Sequence, residues 1–194
     1  MQSGRDRGTA APAVLDASLA LSFANTVACP ECRVGDALAS PRSFRAWLQA
    51  AHGLESDPLP LKALEDLRKF REELREILGA RARNAPIPPS ALRSLNEAAR
   101  VSPVVPQLVG TGKDLRWAWS DPGPLALRWT GAVARSAVLL LGGGEPRKLK
   151  RCGMSTCLHF LLARSRSQRW CSSTGCGNRA RVARHYRRTH DTGD

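Results

Sequence analysis

Two short stretches, RCGMSTC at residues 151–157 and CSSTGC at residues 171–176, hold four of the six cysteines in this 194-residue chain. Each is a C-x4-C pair, and thirteen residues separate the pairs. Two such knuckles joined by a hairpin-sized loop can converge on one tetrahedral zinc ion. A segment of about forty residues buries too little apolar surface to fold alone, so a metal staple is expected. Four ordinary buried thiols are the alternative, but the spacing favours one structural Zn²⁺ bound by Cys152, Cys157, Cys171 and Cys176.

The residues between and after these pairs predict a hairpin and a helix. Residues 158–163 suit a first strand, residues 164–168 a polar turn, and Arg169-Trp170 the start of a second strand. After the second pair, Ser172 or Ser173 can cap a helix that runs to about Arg188. Cys176 lies in the opening turns of this predicted helix.

The predicted C-terminal helix has two different sides. At about 100° per residue, one side carries Cys176, Ala180, Ala183 and Tyr186. Arg181 and Arg188 point away from that side, and Arg184 lies on its flank. We therefore expect one face to seal the metal core while arginines project outward.

The positive charge of the chain is concentrated towards its C-terminal end. The formal net charge is +13. Residues 1–146 carry 18 Lys/Arg against 15 Asp/Glu, whereas residues 147–190 carry 12 Lys/Arg and no acidic residue. A solvated basic surface is the simpler interpretation, but uncompensated charge of this size favours a polyanion. The candidate nucleic-acid contacts are Lys148, Lys150, Arg151, Arg169, Asn178, Arg179, Arg181, Arg184, Arg187 and Arg188.

Arg179 has two candidate roles. Four thiolates around Zn²⁺ leave a net charge of about −2, which nearby donors must offset. A structural role beside Cys176 and a contact to phosphate both fit its position three residues further along the chain.

Upstream of residue 142 the apolar pattern predicts helices and one β-hairpin. The clearest helix runs from residue 61 to about residue 83, with a stripe formed by Leu61, Leu64, Leu67, Leu74 and Leu78. Ser40-Pro41 starts another helix, which Gly53 ends. The remaining predictions are helices at residues 15–27, 90–100 and 122–141 and a hairpin at residues 104–120.

A glycine run at residues 142–144, followed by Pro146, predicts a domain boundary. The expected fold is therefore α+β and mainly α. Residues 13–141 form a helical N-terminal domain with a β-hairpin, and residues 147–190 form a small four-cysteine zinc finger that binds nucleic acid.

No secretory signal is visible, and the longest strongly apolar stretch, residues 137–141, is too short to span a bilayer. We therefore expect a cytoplasmic protein with no membrane partner and with reduced cysteines. Cys29 and Cys32 form a C-x2-C pair that suits half a zinc site or a dithiol redox pair. Because no second pair lies nearby in sequence, chance or weak metal contact is preferred, and the role of the pair stays open.

The run WCSSTGCGNR at residues 170–179 resembles the signature of the CGNR zinc-finger family, whose namesake tetrapeptide is Cys176-Gly177-Asn178-Arg179. The upstream cysteine pair and the basic helix also match. LSFANT at residues 21–26 is similar to the opening motif of the ABATE domain usually fused to that finger. The resemblance implies a treble-clef-like finger in a bacterial stress-induced transcriptional regulator, with a ligand-sensing or partner domain in front of it. Cys29 and Cys32 fall outside this pattern.

The residues and the resemblance together indicate a DNA-binding, nucleoid-associated transcriptional regulator whose finger presents an Arg-rich helix to DNA. A lone finger covers only a few base pairs, so a homodimer or a partner is expected. Asn25 and Thr26 are candidate ligand-binding residues in the N-terminal domain. The alternatives are an RNA-binding zinc protein and a small-molecule-binding regulatory protein whose finger mediates protein contacts. No catalytic constellation or open zinc position is evident, so no enzyme is expected.

Overall fold

The structure, a computed structural model, describes residues 18–32, 34–143 and 148–190. Over these ranges the helices are α1 (Ser18–Ala24), α2 (Pro41–His52), α3 (Leu61–Ala82), α4 (Pro89–Arg100), α5 (Leu125–Gly142) and α6 (Cys176–His190). The strands are β1 (Val105–Val109), β2 (Arg116–Ser120), β3 (Leu149–Arg151) and β4 (Phe160–Leu162). The expected α+β fold, mainly helical with small antiparallel hairpins, is confirmed.

Helix α2 begins and ends where the sequence predicts. The Ser40 hydroxyl accepts a hydrogen bond from the Ser43 backbone N–H at 3.1 Å, and the Ser43 hydroxyl accepts one from the Ser40 N–H at 2.9 Å. Pro41 occupies the first turn, where the helix needs no N–H donor. Gly53 ends the helix with φ of 63°, a left-handed conformation that glycine adopts without strain.

Helix α3 is the central element of the N-terminal part, residues 18–143. It packs against α1, α5 and β3, and it is fully buried at four of its five predicted stripe positions, Leu64, Leu67, Leu74 and Leu78. Leu61, the fifth, is 67% exposed. A helical side chain covers the turn before its own Cα, and Leu61 is the first residue of the helix, so it has no such turn to cover.

Helix α1 is tied to α5 by a buried hydrogen bond. The Ala20 N–H donates to the Ser136 hydroxyl at 2.8 Å. The N–H groups of a first helical turn have no partner within their own helix, so the α5 hydroxyl satisfies one of them. The helix ends at Ala24, before the predicted end at residue 27, and residues 15–17 of the prediction lie outside the described ranges.

Strands β1 and β2 form the predicted hairpin, with Leu108 opposite Trp117. Both of these side chains are exposed. At the base of the hairpin, the Ser102 hydroxyl donates to the buried carboxylate of Asp121, which also accepts the Gly123 N–H. These bonds fix the hairpin next to the start of α5.

The hairpin of the C-terminal part, residues 148–190, differs from the sequence prediction. Strand β3 precedes the first cysteine pair and β4 follows it, so the strands pair across the C-x4-C knuckle. Residues 169–170, the predicted second strand, are not a strand. The Arg169 carbonyl instead accepts a hydrogen bond from the Gly153 N–H at 2.7 Å, which ties this segment to the first C-x4-C knuckle. Strands of three residues are too short for the alternation by which a sequence reveals a strand.

The C-terminal hairpin shares its core with the N-terminal helices. Leu149 of β3 and Phe160 of β4 are buried in the same apolar cluster as the helices, with β3 against α3 and β4 against α1. Gly144 and Pro146 of the predicted boundary lie outside the described residues. Among the helices that the structure describes, none has both the length and the apolar character needed to cross a bilayer.

Candidate metal centre

The four predicted zinc ligands come together in the C-terminal part. The sulfur atoms of Cys152, Cys157, Cys171 and Cys176 all lie within 4.8 Å of one another. Cys171 Sγ is 3.7 Å from Cys157 Sγ and 3.7 Å from Cys176 Sγ. Tetrahedral zinc with Zn–S bonds of about 2.3 Å places its sulfurs about 3.8 Å apart. The spacing of the sulfurs therefore fits one Zn²⁺.

The first cysteine pair is held by the β3–β4 turn. The Cys152 N–H donates to the His159 carbonyl at 2.9 Å, and the Cys157 N–H donates to the Met154 carbonyl at 3.0 Å. Backbone N–H groups also point at the sulfurs, from Met154 and Cys171 to Cys152 and from His159 to Cys157. Such donors stabilise the thiolate form that binds a metal.

The second pair joins a loop to the first turn of α6. Ser172 shapes the loop, because its hydroxyl accepts the Gly175 N–H at 3.0 Å and its carbonyl accepts the Gly177 N–H at 2.8 Å. The helix therefore begins at Cys176, later than a cap at Ser172 or Ser173 predicts. A Cβ on Gly177 would lie 3.1 Å from the Ser172 carbonyl and 3.2 Å from the Trp170 ring. Glycine at this position lets Trp170 pack closely beside the cysteines.

Burial and mutual repulsion act against the thiolate form of the clustered cysteines. Burial raises the pKa of Cys157 to about 11, and the neighbouring Cys152 sulfur adds to the rise. Burial also raises the pKa of Cys171, together with the charge of Cys152 and Cys157. For Cys152, burial acts upwards, but backbone N–H groups of Cys171 and Met154 outweigh it and hold the pKa below its usual value. Four thiolates cannot share this space without a positive ion to offset their repulsion.

Arg179 places a positive charge beside the cluster, where four thiolates and one Zn²⁺ would leave a net charge of about −2. Its Nη2 donates to Cys176 Sγ at 3.2 Å and lies 4.0 Å from Cys32 Sγ. The guanidinium therefore faces the sulfur cluster, in the geometry expected of its structural role.

The C-x2-C pair lies against this cluster, although it is more than a hundred residues away in sequence. Cys32 Sγ is 3.6 Å from Cys157 Sγ and 3.9 Å from Cys176 Sγ. Cys29 and Cys32 are joined by a disulfide, which differs from the expectation that every cysteine is reduced. The C-x2-C spacing indicated that Cys29 and Cys32 could act as a pair. Their contact with the four-cysteine cluster depends on how the loop after α1 packs onto the C-terminal part, which the spacing does not show.

Several of the predicted nucleic-acid contacts also make contacts within the protein. Lys150 donates to the carbonyls of Arg166 and Gln168 at 3.0 and 3.3 Å, and Arg151 lies over the Phe160 ring at 5.7 Å, so both make contacts within the protein. Arg179 faces the sulfurs. Arg181 donates to the Ser173 carbonyl at 3.1 Å. The exposed members of the predicted set are Lys148, Arg151, Arg169, Asn178, Arg181, Arg184, Arg187 and Arg188.

Helix α6 seals the sulfur cluster only with its first turn. Cys176 and Gly177 are buried and Ala180 is half-buried, but residues 181–189 are exposed on every side. The expectation that Ala183 and Tyr186 pack on the core is wrong, and Tyr186 is 64% exposed. A helical projection shows which residues share a side, but it does not show where the supporting surface ends.

Comparison with known protein families assigns both parts of the chain. The model of the ABATE family, described as "Putative stress-induced transcription regulator", matches residues 17–144, about two thirds of the sequence. The chain belongs to the ABATE family. The model of the CGNR zinc finger matches residues 148–189, so the four clustered cysteines are the zinc site of a CGNR finger. No curated protein matches the sequence significantly.

In this ABATE protein, Asn25 joins the two matched regions. Its Nδ2 donates to the Phe160 carbonyl at 2.9 Å, and its Oδ1 accepts the Phe160 N–H at 2.7 Å, as a neighbouring strand would. Arg75 reinforces the junction by donating to the Ala24 carbonyl at 2.6 Å and the Leu158 carbonyl at 3.0 Å. The Asn25 and Thr26 ligand-binding role stays a prediction, and the Thr26 hydroxyl is engaged with the Phe23 carbonyl at 2.7 Å.

Replacing Asn25 by Asp should weaken the junction between the ABATE domain and the CGNR finger. The carboxylate cannot donate to the Phe160 carbonyl and would repel it, so the expected loss is about 1–3 kcal/mol of unfolding free energy. Denaturant unfolding, with hydrogen exchange at the Phe160 amide, measures this effect. Asn96→Asp on the exposed face of α4 is the matched control. Equal stability of the two variants would contradict the role given to the two hydrogen bonds between Asn25 and Phe160.

Proposed function

We propose that this protein is a zinc-dependent, DNA-binding transcriptional regulator whose finger presents helix α6 to DNA. The family assignment supports regulation of transcription, and the acid-free basic segment at residues 147–190 supports a polyanionic partner. Four cysteine ligands leave zinc no open position for a substrate. This favours a structural role for the metal and a binding function for the protein, not an enzymatic one.

The projection of α6 is the observation that carries this proposal. Residues 181–189 extend beyond the body of the protein with every side exposed. Nine residues at a rise of about 1.5 Å give about 14 Å of exposed helix. The major groove of B-DNA, about 12 Å wide and about 8.5 Å deep, admits a helix of this kind.

The arginines of α6 are arranged for such a contact. Arg181, Arg184 and Arg188 fall within about 60° of one another around the helix axis. A planar guanidinium binds phosphate, or the O6 and N7 atoms of guanine, through two parallel hydrogen bonds. Arg187 lies about 120° from Arg181, which suits the opposite wall of the groove. Lys148, Arg169 and Asn178, all exposed, are candidates for flanking contacts.

One short helix covers few base pairs, so we propose that specific binding needs a homodimer or a second partner. The ABATE domain would then provide assembly or the response to a small ligand. A regulator of this type acts in the cytoplasm, on the nucleoid.

The triple variant Arg181→Ala, Arg184→Ala, Arg188→Ala should bind duplex DNA at least about 100-fold more weakly, because each lost contact is worth at least about 1 kcal/mol. Its log–log salt slope should be shallower by up to about 3, since fewer counterions are released. Fluorescence anisotropy over a salt series measures both quantities. The zinc content should match that of the unmodified protein, because none of the three residues contacts a cysteine sulfur.

The matched control removes the same charge from the N-terminal part. Arg42, Arg45 and Arg93 are exposed, and their triple alanine variant should keep nearly full affinity. Equal losses in the two triple variants would show that only net charge matters and would contradict the assignment to α6. Competition with duplex RNA and with single-stranded DNA and RNA completes the test, and a preference for either RNA would identify an RNA-binding protein instead.

A further inference from the structure

Cys157 and Cys176 have two sulfur neighbours in common, Cys171 Sγ and Cys32 Sγ. Cys171 Sγ lies 3.7 Å from both of them. Cys32 Sγ lies 3.6 Å from Cys157 Sγ and 3.9 Å from Cys176 Sγ. Sulfurs bound to one tetrahedral zinc ion are about 3.8 Å apart. Cys32 is therefore as close to two of the zinc ligands as those ligands are to each other.

This contact brings a second group of three sulfurs together, which could hold a metal ion once the Cys29–Cys32 disulfide is reduced. Cys29, Cys32 and Cys157 lie within 4.8 Å of one another, and C-x2-C is a usual spacing for two zinc ligands. We propose that the reduced Cys29–Cys32 pair binds a second thiophilic divalent cation, such as Zn²⁺, and shares Cys157 and Cys176 with the first. Each ion then has four sulfurs, two terminal and two bridging.

Adding a second cation together with two thiolates leaves the net charge of the cluster unchanged. Six thiolates around two divalent cations carry a net charge of about −2, the same as four thiolates around one. Arg179 lies between the two groups, with its Nη2 3.2 Å from Cys176 Sγ and 4.0 Å from Cys32 Sγ. The guanidinium that offsets the first site is thus already in place for the second.

The loop that carries the pair is held in position by the ABATE domain. Cys29 and Val34 exchange backbone hydrogen bonds at 2.8 and 3.2 Å, and the Ala37 N–H donates to the Thr26 carbonyl at 2.9 Å. Arg71 reaches from α3 to Asp36 at 2.7 Å. Because both ends of the loop are fixed, metal binding needs only a local movement of its two sulfurs.

The disulfide controls access to this second site. A small-molecule dithiol reduces it by supplying two electrons and two protons, which gives two thiols and the oxidised, cyclic reductant. Binding of the cation then releases the two protons from Cys29 and Cys32. In the disulfide state the pair has no thiolate to offer, so only the four-cysteine site binds zinc.

Native mass spectrometry of the full chain, saturated with zinc and freed of excess metal, tests this proposal. After reduction with a dithiol the protein should retain two zinc ions, and with the disulfide intact it should retain one. The double variant C29A/C32A should retain one under both conditions. A single zinc in the reduced protein, or two in the double variant, would overturn the proposal. If the variant fails to fold, the reduced and oxidised forms of the unmodified protein answer the same question.

Cadmium-113 NMR tests the shared sulfurs. The reduced protein loaded with cadmium should give two resonances, each split by coupling to the other ion through Cys157 and Cys176. One resonance, or two without mutual coupling, would overturn the shared arrangement. Because neither experiment involves nucleic acid, its result is independent of whether the protein binds DNA.

Discussion

Replacing Cys171 by Ser is expected to remove the zinc ion of the four-cysteine site and unfold most of residues 148–190. The strands there have three residues each, and residues 181–189 of α6 are exposed and not packed in a core. Structural zinc contributes on the order of 10–16 kcal/mol to the folding of finger peptides. Apolar burial within residues 148–190 cannot replace this free energy of folding, because so short a chain buries little apolar surface.

The effect should reach beyond the finger. Leu149 and Phe160 belong to the core of the N-terminal helices, so loss of the zinc site also removes apolar cover from α1 and α3. We therefore expect a lower melting temperature for the whole chain as well as the loss of one zinc ion. Metal analysis measures the loss of zinc, circular dichroism the melting temperature, and hydrogen exchange the unfolding of residues 148–190. A strong chelator should reproduce all three effects in the unmodified protein.

Cys32→Ser is the matched control for this experiment. It changes a cysteine in contact with the cluster but keeps all four ligands of the first site, so one zinc ion and the fold of the finger should remain. Native hydrogen-exchange protection in metal-free Cys171→Ser protein would contradict the account.

Replacing Arg71 by Ala should have the second large effect, and we expect it to lower the free energy of unfolding by about 3–5 kcal/mol. Arg71 is 5% exposed, and its Nη1 and Nη2 donate to the two carboxylate oxygens of Asp36 at 2.7 and 3.0 Å. Its Nη1 also donates to the buried Thr26 hydroxyl at 3.2 Å. Alanine leaves the carboxylate and the hydroxyl without this donor, and it releases the loop that carries Cys29 and Cys32.

The ion pair also predicts how stability depends on pH. Burial acts to raise the pKa of Asp36, but the hydrogen bonds from Arg71 and the Leu38 N–H outweigh it and hold the pKa below its usual value. The contribution of Asp36 is therefore fully present above its unfolded pKa of about 4 and is lost as the pH falls through the lower, folded pKa. Asp36→Asn should flatten this part of the stability profile.

Denaturant unfolding at neutral pH and in a series down to acid pH measures both effects. Lys62→Ala is the control on the same helix, because Lys62 forms an exposed ion pair with Asp66 at 2.9 Å. Exposed pairs contribute little to stability, so this variant should unfold like the unmodified protein. An Arg71→Ala variant as stable as the control would contradict the role given to the buried pair.

Much of this molecule could be predicted because its signals are local. The capping residues Ser40 and Gly53 and the leucine stripe of α3 depend on neighbours in sequence, as do the two C-x4-C pairs. The partner of strand β4 could not be predicted, because β3 lies on the other side of the knuckle and has only three residues. The clamp made by Asn25 on Phe160 and the approach of Cys32 to Cys157 span more than a hundred residues of chain. Such contacts follow from packing and not from any local pattern.

Helix α6 shows the same limit in another form. Its periodicity identifies which residues share a side, but the exposure of Tyr186 depends on where the body of the protein ends. The prediction of outward arginines did not need that information, whereas the prediction of an inward Ala183 and Tyr186 did.

The most direct test of the central claim is hydrogen exchange of the zinc-loaded protein with and without a mixed-sequence DNA duplex at low salt. The side chains of residues 181–189 are exposed in the free protein, so binding through α6 should slow their exchange more than that of any other segment. Unchanged exchange at residues 181–189 under conditions in which DNA is bound would contradict the account.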